Sequence, residues 1–221
     1  MRLEEHLPRW PTLLMRLLVT GIVLGMWFWT QSLLGARVAP AAGVGDALHN
    51  LTASLNSYFA QHASAGDALL IVSSALIDAL GVFLLAGWLL GRTIRPFLGL
   101  VLLMLLRQLL EALCSLPVPQ GMIWHDPGFP SLLVTYRVSN DFFFSGHTGI
   151  AVFGALELRR FHRKWLTAAA VLLVFFEVAT VVVLRAHYTM DVFAGALAAL
   201  WVARVSERLS PRLDRRPSVS H

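Results

Sequence analysis

Two histidines and a few charged residues carry most of the chemical potential in this chain. His187 and Asp191 are four residues apart. On a helix that spacing puts both on one face, a turn apart. A carboxylate so placed accepts the proton of one imidazole nitrogen, which fixes the tautomer and leaves the other nitrogen to act as base or nucleophile. His147 falls on a different predicted helix and is a separate candidate acid or base. Arg185, two residues before His187, is a candidate to neutralise phosphoryl oxygens. Two histidines, a carboxylate and an arginine together suit attack on phosphorus.

Other polar residues have two readings each. Arg107 and Glu111 are also four apart, so they either neutralise each other or meet a head group or phosphate. Asp141 is either a helix N-cap or part of the site. Ser145 resembles a nucleophile in type, but its flanks do not suit a nucleophile elbow. Arg107, Glu111, Asp141, Ser145 and Arg185 form the candidate substrate-binding set; His147, His187 and Asp191 form the candidate catalytic set. Asp78 stands alone in an apolar run and contacts either a head group or a neighbouring helix. His49, His62, His125 and His221 are expected to be solvated. The single cysteine, Cys114, excludes an intramolecular disulfide, and no Cys-based metal site or cofactor motif is present.

The elements that must position these residues are membrane helices. Hydrophobic residues make up 57% of the 221 and charged residues 14%, against about 25% charged in soluble domains; mean hydropathy is +0.66. Six apolar runs, near 13–34, 68–90, 94–116, 142–160, 164–185 and 187–206, each approach the roughly 20 residues a helix needs to cross a bilayer. The fourth is the least apolar. The fifth and sixth meet at a short break around Arg185–Tyr188, which predicts a tight helical hairpin. The first run exceeds the core of a signal peptide and is read as an uncleaved helix. Residues 1–209 are expected to form one six-span, all-helical domain with core motifs in 107–195, and 210–221 a disordered basic tail.

Charge distribution predicts orientation. Fourteen of the 18 cations fall at the two termini and in the loops around Arg92–Arg95 and Arg159–Lys164; Arg37, Arg137 and Arg185 lie on the other side. Cytoplasmic loops carry the excess of Lys and Arg, so both termini are expected to be cytoplasmic. The net charge of +5 is thus a topology signal, not a nucleic-acid footprint. The outer face then holds the 35–67 loop, the 117–141 loop and the Arg185–Asp191 turn. Leu48, Leu51, Leu55 and Phe59 recur at helical spacing in the first of these, as in an amphipathic helix lying on the interface.

Three blocks resemble a known family. Ser145-Gly146-His147 and His187-Tyr188-Thr189-Met190-Asp191 are similar to the Ser-Gly-His and His-x-x-x-Asp motifs of the type 2 phosphatidic acid phosphatase superfamily. The longer strings Asp141–Thr148 and His187–Val192, with Arg107 followed by Leu116-Pro117-Val118-Pro119, resemble its sphingomyelin synthase branch. The branch's Pro-rich first motif is missing, and Arg95-Pro96 falls on the predicted cytoplasmic side. The resemblance implies a six-span fold with an extracytoplasmic site. It implies a phosphohistidine on His187, oriented by Asp191, with His147 protonating the departing alcohol and no metal required. A phospho-head group would pass from a glycerophospholipid to ceramide, diacylglycerol or another lipid alcohol. With water as acceptor the same residues would make a lipid phosphate phosphatase or phospholipase C-like hydrolase. A non-enzymatic transporter or scaffold is the reading from another class; neither duplicated halves nor matching broken spans support it. The expected setting is a bacterial inner membrane, with lipids as partners.

Overall fold

The computed structural model describes residues 43–91, 93–114, 116–134, 136 and 143–214, together with Leu14, Leu18, Ile22 and Trp29. The chain divides into two compact units, Met1–Ala42 and Gly43–His221. Of the first, the four described residues are helical and exposed; the expected span at 13–34 otherwise lies outside the described residues.

The second unit is built from helices. Among the described residues they are α1 (Ala47–Leu51), α2 (Ala53–Gln61), α3 (Ala63–Leu89), α4 (Arg95–Leu113), α5 (Gly146–Arg159), α6 (Lys164–Val183) and α7 (Thr189–Leu213), and no strand is present. Four of them, α3, α4, α6 and α7, are long and apolar enough to cross a bilayer. With that complement the chain is an integral membrane protein.

The expected fourth span is shorter than its apolar run. Helix α5 has 14 residues, about 21 Å, because Ser145 caps its start and the Arg160–His162 turn closes its end. It is the hub of the unit, packing on α3, α4, α6 and α7. That explains its weak hydropathy: a helix wrapped by others needs small surfaces rather than lipid-facing ones. Phe153 of α5 fills the notch left by Gly99 of α4, where a Cβ would run into its ring. Leu80, Leu84, Leu103, Phe144, Ile150, Ala199 and Val202 complete the buried core.

Local signals set the helix ends. Pro96 opens α4, where a missing N–H costs nothing. Helix α6 ends in a Schellman turn: Ala186 N–H donates to Val181 O at 2.9 Å and Arg185 N–H to Val182 O at 3.1 Å. This puts Arg185 at φ 53°, a left-handed conformation usually given to glycine. The α6–α7 break spans Leu184–Tyr188, in agreement with the predicted hairpin. Helix α7 runs past Ser210 to Leu213, with Pro211 inside it, and Asp214 accepts the Ile94 N–H at 2.8 Å. The part of the expected tail at 210–214 is therefore structured; residues 215–221 lie outside the described residues.

At the end of the bundle away from the histidines, Glu157 of α5 is buried and receives Arg95 through both Nε, at 3.1 and 3.2 Å, and Nη2, at 2.7 Å. Arg160 extends this network to Glu207 of α7 at 3.1 Å. Arg95-Pro96 thus belongs to an ion network far from His187.

Candidate active site

The expected amphipathic segment is helical, divided into α1 and α2, with its leucines facing outward and its polar side packed on the protein. Leu51 is 78% exposed and Leu55 51%, whereas His49 and Asn56 are each 6% exposed. The expectation that His49 is solvated is overturned. Its Nε2–H donates to the His187 carbonyl at 2.9 Å, and its ring stacks on Tyr188 at 5.6 Å. Asn56 donates to Gly121 O at 3.1 Å and Val183 O at 2.9 Å. The apolar side faces outward because lipid or the interface receives it, while these polar groups satisfy backbone carbonyls of the α6–α7 turn. His62 and His125 are exposed, as expected, with His125 donating to Asp67 at 2.7 Å; His221 lies outside the described residues.

Asp46 is the second residue missed by sequence reasoning. It caps α1, its Oδ1 accepting from Leu48 N–H at 2.9 Å and His49 N–H at 3.2 Å. It also reaches the first residue of α7: Thr189 N–H donates to Oδ2 at 2.6 Å and the Thr189 hydroxyl to Oδ1 at 2.7 Å. Partial burial raises the Asp46 carboxyl, but the Thr189 and His49 hydrogen bonds and the charge of His49 outweigh it and hold it below the usual 3.8. An aspartate immediately before a short helical pattern is an N-cap signal; the link to Thr189 has no signal in sequence spacing.

His187 and Asp191 come together as predicted. His187 Nδ1 stands 3.9 Å from Asp191 Oδ2, and both side chains are buried. The same Oδ2 accepts the Tyr188 N–H at 2.9 Å, bonding the N-cap amide of α7. Asp191 Oδ1 is buried and makes no hydrogen bond. Tyr188 donates its hydroxyl to Pro117 O at 3.0 Å, tying the Leu-Pro-Val-Pro block to the His-x-x-x-Asp turn. Burial, with the nearby charges of Asp191 and Asp46, pushes the Tyr188 phenol above its ordinary value, so it stays a neutral donor.

The Ser-Gly-His block is joined to the same turn. Ser145 N–H donates to the Asp191 carbonyl at 3.1 Å. Gly195, one turn along α7, permits this approach: a Cβ there would lie 2.6 Å from the Ser145 carbonyl oxygen. Ser145 is fully buried, and its Oγ accepts from Thr148 N–H and Oγ1–H at 3.3 and 3.1 Å. This is an N-cap's environment. His147 follows, buried, with Nε2 making no hydrogen bond and its ring edge-on to Trp124 at 5.1 Å.

Arg107 spans the remaining gap. Its Nε donates to Phe144 O at 3.1 Å and its Nη2 pairs with Glu111 at 2.7 Å. Arg185 turns to main chain: Nη1 donates to Gln120 O at 2.7 Å and Nη2 to His49 O at 3.3 Å. Asp141 lies outside the described residues. Asp78 accepts from Ser131 Oγ–H and from the Leu132 and Leu133 amides at 2.8–3.0 Å, holding the loop over the bundle. Glu177 of α6, not singled out from the sequence, is buried and accepts from Ser73 at 2.6 Å. Beside Asp191 a cavity of about 290 Å³ opens between Leu48, Cys114, Leu116, Phe143 and Met190. Among the described residues no three His, Cys, Asp or Glu gather that could hold a metal ion.

A family model described as AtPDCT1/2 matches residues 45–208. The chain belongs to the AtPDCT1/2 family. The AtPDCT1/2 match takes in Asp46, His147, His187 and Asp191 together. Phosphatidylcholine:diacylglycerol cholinephosphotransferase 1 of Arabidopsis thaliana is 23% identical over 166 residues, covering 75% of this chain and 54% of that protein. The chain thus spans about half the length of this curated relative. No solved structure matches.

Proposed function

We propose that the protein is a lipid phosphotransferase that moves a phospho-head group from a glycerophospholipid to a lipid alcohol through a phosphohistidine. The observation that carries this reading is the Ser145 amide on the Asp191 carbonyl. It joins the start of α5, which bears His147, to the start of α7, which follows His187, within a family match that covers both. The name of the Arabidopsis relative favours phosphatidylcholine as donor and diacylglycerol as acceptor. The sphingomyelin synthase-like motifs keep ceramide as an alternative acceptor.

In this scheme Asp191 faces Nδ1 of His187, and Nε2 attacks phosphorus. The P–O bond to the donor's glycerol breaks, and His147 gives its proton to the departing alkoxide. The acceptor hydroxyl then loses its proton to His147 and attacks phosphorus, restoring His187. The 3.9 Å gap between His187 and Asp191 closes as the imidazole takes on charge, since such contacts are often long before substrate binds. The apolar cavity beside Asp191 receives a glycerolipid's acyl portion. Arg107 lies against Gly146 of the Ser-Gly-His block, whereas Arg185 points to the Gln120 and His49 carbonyls, so Arg107 is the better placed of the two to meet phosphate. Orientation follows from the cation count: six spans in a single domain over residues 1–209, termini cytoplasmic, histidines outside.

The test is reconstitution in liposomes with phosphatidylcholine labelled in its head group, plus fluorescent diacylglycerol and ceramide. A new labelled lipid from wild type, reduced at least about a hundredfold in His187→Ala, supports the proposal and names the acceptor. Release of phosphocholine into water with no new lipid would replace transfer by hydrolysis. Equal product from wild type and variant would sink the phosphohistidine.

A further inference from the structure

The bundle holds a second built cavity, at the end opposite the histidines. It has a volume of about 410 Å³ and lies between the C-terminal part of α5 and the later turns of α7. Arg159 lies 12 residues beyond His147 on the same helix, about 18 Å along its axis. Leu156, Leu200 and Ala203 give the cavity apolar walls, and Arg159, Arg160 and Arg204 give it a cationic rim.

The three guanidiniums are not equivalent. Arg160 is committed to Glu157 at 3.3 Å and to Glu207 at 3.1 Å. Glu207 is the carboxylate on this wall, and Arg160 takes it up. Arg159 and Arg204 are exposed and form no ion pair among the described residues. They reach the same cleft from two different helices. The turn beyond Arg159 is also shaped at a cost: His162 lines the cavity with φ 54°, in the left-handed region that favours glycine. Arg159 and Arg204, neither held in a salt bridge among the described residues although Arg204 is within electrostatic reach of exposed Glu207, stand above an apolar cleft and fit a ligand with one anionic group and attached hydrocarbon.

We propose that this cavity binds one anionic glycerophospholipid of the leaflet at that end of the bundle, its phosphate between Arg159 and Arg204 and its acyl chains against Leu156 and Leu200. Basic pockets between membrane helices are suited to anionic head groups, and each Arg near the surface contributes appreciably. The site is separate from the one proposed for head-group transfer, and its occupant is a bound lipid, not a substrate.

The full-length protein in phosphatidylcholine vesicles containing a minority of phosphatidylglycerol is extracted, washed free of loose lipid and analysed for retained phosphatidylglycerol by native mass spectrometry. Wild type is expected to retain one such lipid. The double variant R159Q/R204Q should retain it roughly tenfold less or worse. R159K/R204K, which keeps the charges, should recover much of the loss, and R208Q, an exposed α7 arginine outside the cavity, should behave as wild type. Equal retention by wild type, R159Q/R204Q and R208Q would overturn the site, as would no retention by wild type. Displacement of phosphatidylglycerol by inorganic phosphate alone would reassign the cavity to free phosphate and overturn the lipid. Because retention is read without any transfer assay, failure here and failure of the transferase reading are distinguishable.

Discussion

At the scale of residues, His187 is aimed from behind. Its carbonyl takes the Nε2–H of buried His49, so one imidazole fixes the backbone that carries the other. His49→Leu removes this buried hydrogen bond, at about 0.5–1.5 kcal/mol. A lower unfolding temperature with a fall in kcat is expected, and His49→Gln, which retains a donor, should recover part of both. Asp46 adds a pH dependence. Its folded-state pKa is depressed, so its contribution is complete above the ordinary value of 3.8 and is lost as pH falls through the lower folded value. Acid unfolding monitored by circular dichroism should show less acid sensitivity in Asp46→Asn than in wild type, from a lower starting stability. The candidate pair His187 and Asp191 was legible because its residue types and helical spacing carry their own meaning. The role of His49 was not. Among Leu48, Leu51 and Leu55 it reads as the wet side of an amphipathic helix. In water the leucines would turn inward; next to a bilayer they have another partner, and the sign of burial inverts.

At the scale of elements, the site depends on how closely α7 meets the start of α5. Gly195→Ala pushes a methyl into the Ser145 carbonyl, a main-chain atom that cannot swing aside. Overpacking of this kind costs about 1–3 kcal/mol. The expected result is a lower unfolding temperature together with a larger loss of transfer activity than that stability loss explains, measured in the liposome assay. Arg185 sets two effects against each other. Arg185→Gly relieves a left-handed backbone worth about 1–2 kcal/mol, but removes two charge-assisted bonds to carbonyls worth about 1.5–3 kcal/mol each when buried. One of the two is at the surface, which narrows the margin without reversing it. Net destabilisation with little change in KM is expected in lipid titrations; a KM rise of tenfold or more would give Arg185 a phosphate instead. The hairpin break was visible in the sequence because charge and aromatic residues interrupt two apolar runs. The shortness of α5 was not, because a helix enclosed by four others loses the hydropathy signal that marks a lipid-facing one.

At the scale of the whole molecule, the two ends differ in what they do with charge. One end gathers His147, His187, Asp191 and Arg107 around helix N-termini; the other links Arg95, Glu157, Arg160 and Glu207 into a network. In the proposed orientation these ends face opposite sides of the membrane. In a Cys114→Ser background, Gln120→Cys should react with an impermeant maleimide added to intact cells, and Arg208→Cys only after the membrane is opened; the reverse pattern would invert the molecule. Charge asymmetry is legible from sequence because it acts through counts. The joining of distant segments is not, because it rests on single hydrogen bonds such as that from Tyr188 to Pro117.

Asp46 is one such joint, and it bears on modularity. A single carboxylate closes the start of α1 and the start of α7, elements separated by 143 positions at their point of contact. A truncation that spares every span and every histidine, yet begins one residue too late, would unfasten a helix at the far end of the chain. The smallest transferable unit therefore begins by Asp46 and not at the first long apolar helix of the unit. It is also where the family resemblance begins, at residue 45. In a domain swap or a fused chimera, the short amphipathic lead-in should travel with the histidine-bearing hairpin, as part of the same machine.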